Sequence, residues 1–133
     1  MINLPPVTIT NIHQVSTDQL SQFLNAAILS HKLPQYHPNQ PLDVQTQIVP
    51  LLSLYANNKA YVTELFNIVV SAWYEQKILK KNKDSRWNED EQSRLEAKKD
   101  ILYRTWQTVD GMYEAASRIM TGIGAPDPRS YRH

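Results

Sequence analysis

Apolar residues recur every three or four positions over the last third of the chain, from Glu89 to about Thr121. This spacing follows a heptad and keeps one narrow apolar stripe on one side of an α-helix. At ~1.5 Å per residue the predicted helix is roughly 50 Å long, more than a compact domain of this size needs. We therefore expect it to present a surface to another molecule as well. The stripe consists of Leu95, Leu102, Trp106, Val109, Tyr113, Ala116 and Met120.

The first part of the chain predicts an extended arm followed by a helix. Residues 1–15 alternate only in part between apolar and polar positions, which favours an extended arm packed on the helices. Ser16 and Gln19 have the spacing of a capping box, so the first helix is predicted to begin at Ser16. Its apolar pattern stops at Pro34.

Two further helices are predicted in the middle of the chain. Pro41 can open the second, because a missing N–H has no cost in the first turn. Pro50 lies inside this helix and either kinks it or separates two shorter helices. Asn57 and Asn58 are predicted to end it and to cap a third helix, which runs from about Lys59 to Lys81.

The last helix is predicted to follow a turn over residues 82–88 and to end at a pair of glycines. Asn88 and Glu91 have capping-box spacing, and Gly122 and Gly124 are typical of a helix C-terminus. Residues 122–133 are predicted to form a tail. The fold prediction is therefore a single all-α domain over residues 1–133, with a bundle of about four main helices over residues 16–121.

Composition restricts the classes of protein to which the chain belongs. Its 133 residues suit one domain, and the hydrophobic and charged contents of 41% and 20% are ordinary for a soluble fold. No stretch approaches the ~20 apolar residues that span a bilayer, and the first ten residues lack the features of a signal peptide. The absence of cysteine excludes disulfides and thiolate metal sites, and agrees with the cytoplasmic location that we expect.

Positive charge is concentrated in two places, although the net charge is only +1. Five cations lie between Lys77 and Arg86 against the single anion Asp84, and the tail adds two arginines. Such patches can contact a phosphate backbone or an acidic protein face, whereas cations at a helix C-terminus are also favoured by the helix dipole alone. The candidate nucleic-acid-binding residues are Lys77, Lys80, Lys81, Lys83, Arg86, Arg129 and Arg132.

Two aromatic residues stand among these cations and are candidate protein-interface residues. Trp87 follows Arg86 in the predicted turn, and Tyr131 lies between Arg129 and Arg132. An exposed Trp beside cations can stack on a base or anchor a protein contact. Trp87 can equally act as a hydrophobic staple that packs on the first turn of the last helix.

The sequence gives no pattern for catalysis, a metal or a cofactor. No two histidines have the spacing of helical metal ligands, and no glycine-rich phosphate-binding motif occurs. Carboxylates do pair at helical spacing, Glu96 with Asp100 and Asp110 with Glu114, but each pair has cations three or four residues later, which favours surface ion pairs. Those cations are Lys99, Arg104 and Arg118. We therefore predict that the chain is not an enzyme.

Gly111 interrupts an otherwise good helical pattern. Glycine costs roughly 1 kcal/mol relative to alanine inside a helix. Either a close helix crossing compensates for this cost, or the residue serves as a hinge.

From Tyr61 to Met120 the chain combines an aromatic helix, a basic turn and a long charged helix. This segment resembles the helical small subunit of CRISPR-Cas effector complexes of the Cascade kind. The resemblance implies a role in antiviral defence, in which several copies form a filament and basic residues steady a DNA strand. It nominates Lys80, Lys81, Lys83 and Arg86 for that contact.

The sequence supports two leading hypotheses for function. In the first, the chain is a non-catalytic subunit of a nucleoprotein complex that contacts other protein subunits and the backbone of DNA or RNA. In the second, it is a structural or adaptor protein of a phage or secretion assembly, and its basic patches bind acidic protein. A small enzyme ranks last.

Overall fold

The structure, a computed structural model, describes residues 6–34 and 42–124, with side chains up to Thr121. These residues form three α-helices and one π-helical turn, and no strand occurs among them. The α-helices are α1, Thr17–Ala27, α2, Val49–Lys81, and α3, Glu89–Gly124. The all-α prediction is confirmed, whereas the expected second and third helices are a single helix.

The long last helix is confirmed. The helix α3 begins at Glu89 as predicted and continues to Gly124, three residues beyond the predicted end at about Thr121. Every seventh residue of its stripe is buried, because α3 packs along most of its length against α2. These residues are Leu95, Leu102, Val109 and Ala116, and they face Tyr55, Val62, Leu65 and Val69 of α2 in one hydrophobic cluster.

The predicted break at Asn57 and Asn58 is wrong. The helix α2 continues through both asparagines, because Tyr55 and Val62, one heptad apart, are both buried and hold the backbone on the same axis. Asparagine is only a weak helix breaker, and tertiary burial outweighs its preference for caps.

Pro50 lies in the first turn of α2, where its missing N–H breaks no helical hydrogen bond. Of the two predicted alternatives, the structure agrees with a change of helix at this point, because α2 begins at Val49 directly after a separate helical turn. The turn before it, Val44–Ile48, is π-helical, and the Val49 N–H donates to the carbonyl of Val44. Asp43 caps this turn by accepting from the amide of Gln45 at 3.1 Å. Pro41, the predicted start, lies outside the described residues.

The capping box at the start of α1 is confirmed. Ser16 Oγ accepts from the Gln19 amide at 3.0 Å, and Gln19 Oε1 accepts from the Ser16 amide at 2.8 Å. The helix ends at Ala27, earlier than the predicted stop at Pro34. The buried Tyr55 hydroxyl donates to the His31 carbonyl at 2.5 Å and so ties the segment after α1 to α2.

The described part of the predicted arm, residues 6–15, is a series of turns and not an extended strand. The amides of Ile12 and Val15 donate to the carbonyls of Thr8 and Asn11. These turns direct Val7, Ile12 and Val15 inward, where all three are buried. The arm therefore packs on the helices as expected, but in a different conformation; residues 1–5 lie outside the described part. The predicted start of the tail at residue 122 is wrong, since α3 includes Gly122 and Gly124; residues 125–133 lie outside the described part.

Replacing Gly111 by alanine is expected to raise the free energy of unfolding by about 0.5–1 kcal/mol. An added Cβ would meet no atom of residues 6–34 or 42–124 within 4 Å, so no close crossing of the described helices explains this glycine. The gain comes from the smaller conformational entropy that alanine loses on folding. Urea unfolding of the variant and the wild type measures it, and an unchanged or lower midpoint would contradict the expectation.

Candidate interaction surfaces

The turn between α2 and α3 is fixed by an aspartate and an arginine. Arg86 donates to Asp84 through its backbone amide at 2.9 Å, Nε at 3.0 Å and Nη2 at 2.8 Å. These hydrogen bonds lower the pKa of Asp84 to about 2. Lys83 adopts a positive φ of 54°, the left-handed conformation that closes the C-terminus of a helix. One of the five predicted cations, Arg86, therefore stabilises the turn itself.

The basic turn cluster is the name used below for Lys77, Lys80, Lys81, Lys83 and Arg86. All five residues are exposed, at the end of α2 and in the turn that follows. Within the part of the chain that the structure describes, Arg86 alone among them lies within 4.0 Å of a carboxylate. The structure thus brings the first group of predicted binding residues together. The second group, Arg129 and Arg132, lies outside the described residues, as does Tyr131.

Trp87 is half-buried at the start of α3. Its Nε1 donates to Gln92 Oε1 at 2.6 Å, and Lys80 Nζ lies 5.2 Å from its ring centre. Gln92 is the fourth residue of α3, so this contact has the spacing of a staple but is made by a hydrogen bond. The capping box predicted for Asn88 and Glu91 is formed only in part. Asn88 accepts from the Glu91 amide at 3.0 Å, whereas its own amide donates to Gln76 of α2 at 3.0 Å.

The α2–α3 pair has two flanks, of which α1 and the N-terminal turns cover one. Tyr61 of α2 contacts Phe23 of α1, with ring centres 6.3 Å apart, and Lys98 of α3 contacts the N-terminal turns. Phe66 lies five residues after Tyr61 on α2, and Tyr103 lies five residues after Lys98 on α3. Five residues correspond to a rotation of about 140° around the helix axis. Their rings are 6.1 Å apart, across the groove on the opposite flank. We call this second flank the open face.

At both ends of the open face, lysine ammonium groups lie over aromatic rings. Trp73 lies between Lys77 and Lys99, whose ammonium groups are 4.7 and 4.8 Å from its ring centre. Its buried Nε1 has no hydrogen-bond partner among the residues that the structure describes. These contacts are cation–π interactions, and each contributes about 0.5–1 kcal/mol at a partly exposed site.

At the other end of the open face a single lysine joins the two helices. Lys59 Nζ lies 2.7 Å from Asp110 Oδ1, and 5.5 and 4.8 Å from the ring centres of Trp106 and Tyr113. Asp110 therefore pairs across the groove with Lys59. Among the predicted helix-surface ion pairs, that of Glu114 with Arg118 is present at 4.0 Å. Lys99 lies 3.3 Å from the adjacent carboxylate of Asp100.

A pocket of about 300 Å³ lies in the middle of the open face. Its lining is mainly apolar, and Tyr103 at its edge is 51% exposed. The lining residues are Thr63, Phe66, Asn67, Tyr103 and Trp106. This is apolar surface that α1 does not cover.

Trp106 and Tyr113 were predicted only as part of the apolar stripe of the last helix, although the spacing of the sequence carries a signal for the open face. Lys59, Phe66 and Trp73 each lie four residues after a buried residue of α2, and Lys99, Trp106 and Tyr113 do the same on α3. Both helices therefore carry a second strip with the period of the buried seam, displaced to one side of it. The displacement to the same flank on both helices appears only when the pair is assembled.

The covered flank contains a buried charge. Lys98 is 3% exposed, and its Nζ donates to the carbonyls of Ile12 at 2.9 Å and His13 at 3.4 Å. Burial lowers the pKa of Lys98, which the nearby Glu91 raises in part. Lys98 was not among the predicted functional residues, and in the structure it fastens the N-terminal turns to α3.

Comparisons with protein-family models, curated proteins and solved structures found no match to this chain. Over residues 6–34 and 42–124, no three histidine or carboxylate side chains are grouped so that they could hold a metal ion. No helix in the same ranges is both long and apolar enough to cross a membrane.

Proposed function

We propose that this chain is a non-catalytic subunit of a nucleoprotein assembly, in which the basic turn cluster holds a nucleic-acid backbone. One observation supports this most: four exposed lysines lie around one end of the α2–α3 pair with no carboxylate within 4.0 Å among the described residues. Phosphates satisfy such charges and release counterions on binding. Contacts of this kind hold a strand in place without reading its sequence.

Carboxylates near the turn limit the affinity that we expect. Glu89, Asp90 and Glu91 begin α3, so the stretch from Lys77 to Glu91 holds five cations against four carboxylates. A strand would therefore approach from the α2 side, where the four lysines lie. We expect weak binding without sequence preference, with a dissociation constant of about 10⁻⁴–10⁻⁶ M at physiological salt.

The proposal extends to an assembly of the Cascade kind, which functions in antiviral defence. The segment Tyr61–Met120, which includes the basic turn and most of α2 and α3, is the one for which a resemblance to the small subunits of such complexes was noted. Under this proposal several copies of the chain line the complex, and the basic turn cluster of each copy contacts the strand. The cytoplasm is then its site of action.

Exchanging Lys80, Lys81 and Lys83 for glutamate together is expected to abolish binding to single-stranded DNA. Fluorescence anisotropy with a labelled oligo-dT strand measures the binding constant over a series of salt concentrations. For the wild type, three phosphate contacts predict a slope of about −2 in the plot of log K against log salt. Binding that does not depend on salt would contradict a backbone contact.

A matched control makes the same change of charge elsewhere. Arg94, Arg104 and Arg118 are exposed on α3 outside the basic turn cluster. Changing all three to glutamate is expected to lower the affinity for oligo-dT much less than the lysine triple. Equal losses in the two triples would mean that only net charge matters, and the proposed site would be wrong.

The alternative is an adaptor that binds protein only. The mainly apolar pocket on the open face favours it, because such a pocket suits a protein side chain. An adaptor would show no retention on DNA even at low salt and would form a defined larger complex by light scattering.

A further inference from the structure

We propose that the open face is the docking site for an amphipathic helix of a partner protein, one with an apolar seam and acidic flanks. The inference names a partner for the assembly role proposed above and rests on that role, but it concerns a surface that shares only Lys77 with the basic turn cluster.

The spacing of the open face indicates that the occupant is a helix. Lys59, Phe66 and Trp73 on α2, and Lys99, Trp106 and Tyr113 on α3, repeat every seven residues. A seven-residue repeat keeps contact with a neighbouring helix over several turns, since both partners then supercoil together. An extended strand of protein or nucleic acid imposes no such period.

The other flank of the same helix pair supports this inference. There α1 packs against α3 and reaches α2 through the ring of Phe23, and Leu20 and Leu24 are buried. Tyr61 and Phe66, about 140° apart on α2, contact Phe23 of α1 on one flank and Tyr103 on the other. A helix on the open face would therefore pack on the side of the α2–α3 pair that α1 leaves free.

Charge complementarity indicates that the occupant is acidic. Lys59, Lys77 and Lys99 lie along the groove. Lys59 pairs with Asp110 at 2.7 Å and Lys99 with the half-exposed Asp100 at 3.3 Å, whereas Lys77 has no carboxylate within 4.0 Å among the described residues. The ammonium groups lie over the aromatic rings, and the side chains of Lys59 and Lys99 are still 26% and 23% exposed. Glutamates on the flanks of an incoming helix would pair with these ammonium groups, and its apolar seam would enter the pocket between Phe66 and Tyr103.

The test uses two synthetic peptides of about three heptads. Both carry leucine at positions a and d; one has glutamate at e and g and the other has lysine there. Like charges at e and g keep each peptide from associating with itself. Binding to the full chain is followed by anisotropy of the labelled peptide, and we expect the glutamate peptide to bind at least tenfold more tightly than the lysine peptide.

Two sets of variants locate the site. Phe66→Ala with Tyr103→Ala is expected to weaken binding of the glutamate peptide tenfold or more, as for aromatic anchors at other interfaces. Lys77→Gln with Lys99→Gln should reduce the preference for the acidic peptide to within about threefold. The matched control is Ile9→Ala, which truncates another exposed apolar side chain, 52% exposed, outside the open face and should leave binding unchanged.

Each other outcome overturns the inference. If the two peptides bind equally, or if Ile9→Ala weakens binding as much as the aromatic double variant, no acidic-helix site exists on this face. If oligo-dT displaces the peptide, the face binds nucleic acid. If the chain is a dimer in solution that Tyr103→Ala dissociates, the occupant is a second copy.

The same measurements separate this inference from the proposed function. The Phe66→Ala and Tyr103→Ala double variant should keep the DNA affinity of the wild type, since both residues lie outside the basic turn cluster. Peptide binding without any DNA binding would support the docking site and contradict the nucleoprotein role. DNA binding without peptide binding would support the nucleoprotein role and contradict the docking site.

Discussion

Replacing Leu102 by alanine is expected to lower the free energy of unfolding by about 3 kcal/mol. Leu102 is fully buried at the middle of α3, within the hydrophobic cluster that joins α3 to α2. Truncation removes its buried methyl groups and leaves a cavity. Two long helices that pack side by side cannot close around one missing side chain. For a chain of this size the melting temperature should fall by about 10 °C.

Tyr103 provides the control for this prediction. It is the next residue on α3 but is 51% exposed on the open face. Tyr103→Ala should change the free energy of unfolding by about 0.5 kcal/mol or less. Urea unfolding of both variants makes the comparison. If the two variants lost equal stability, the buried stripe of Leu95, Leu102, Val109 and Ala116 would not be the main packing surface of α3.

The last helix could be predicted from the sequence because its signals agree with each other. A heptad stripe, acidic residues in the first turn and glycines at the end all indicate one helix, and the structure contains it from Glu89 to Gly124. The capping box of Ser16 and Gln19 was equally clear, since both hydrogen bonds are local and depend on four consecutive residues.

The middle of the chain was predicted less well because local and tertiary signals disagree there. Pro50, Asn57 and Asn58 each favour a break, and together they suggested two helices. The prolines and asparagines act over a few residues, whereas the buried seam that begins at Tyr55 runs the length of α2. Packing against α3 stabilises more of the helix than these residues destabilise.

The basic turn cluster could be found from sequence because its residues are neighbours along the chain. The open face could not, since it depends on which flank α1 covers, and that is set by contacts between residues far apart in sequence. Phe23 contacts Tyr61 and Lys98 contacts Ile12, and neither contact leaves a local pattern. The seven-residue repeat of the lysines and aromatic residues is visible in the sequence, but the sequence does not tell on which flank of the α2–α3 pair it lies.

Lys98→Glu is the second substitution for which we expect a large effect. It should lower the free energy of unfolding by about 3 kcal/mol or more. The variant would place a buried carboxylate against the carbonyl oxygens of Ile12 and His13, which now accept from the Lys98 ammonium. The N-terminal turns should then separate from α3, and the Ile12 and Val15 amides should exchange their hydrogens faster. Denaturant unfolding and hydrogen exchange measure the two effects.

The matched control for Lys98→Glu is Lys81→Glu, the same change of charge at an exposed position of α2. It should alter the free energy of unfolding by only about 0.5 kcal/mol. If the two variants unfolded at the same denaturant concentration, Lys98 would not fasten the N-terminal turns.

The pH dependence of Lys98→Met isolates the charge of this lysine from its packing. Burial lowers the pKa of Lys98 below its ordinary 10.5, so just below pH 10.5 the unfolded chain holds more protons than the folded one. In that window the contribution of Lys98 to the free energy of unfolding rises with pH, and at lower pH it is constant. The buried Tyr55, whose pKa is raised, acts in the opposite direction above pH 10 but is present in both proteins. The deficit of Lys98→Met relative to the wild type should therefore grow as pH approaches 10.5, and a deficit that stayed constant would mean that the ammonium is not desolvated.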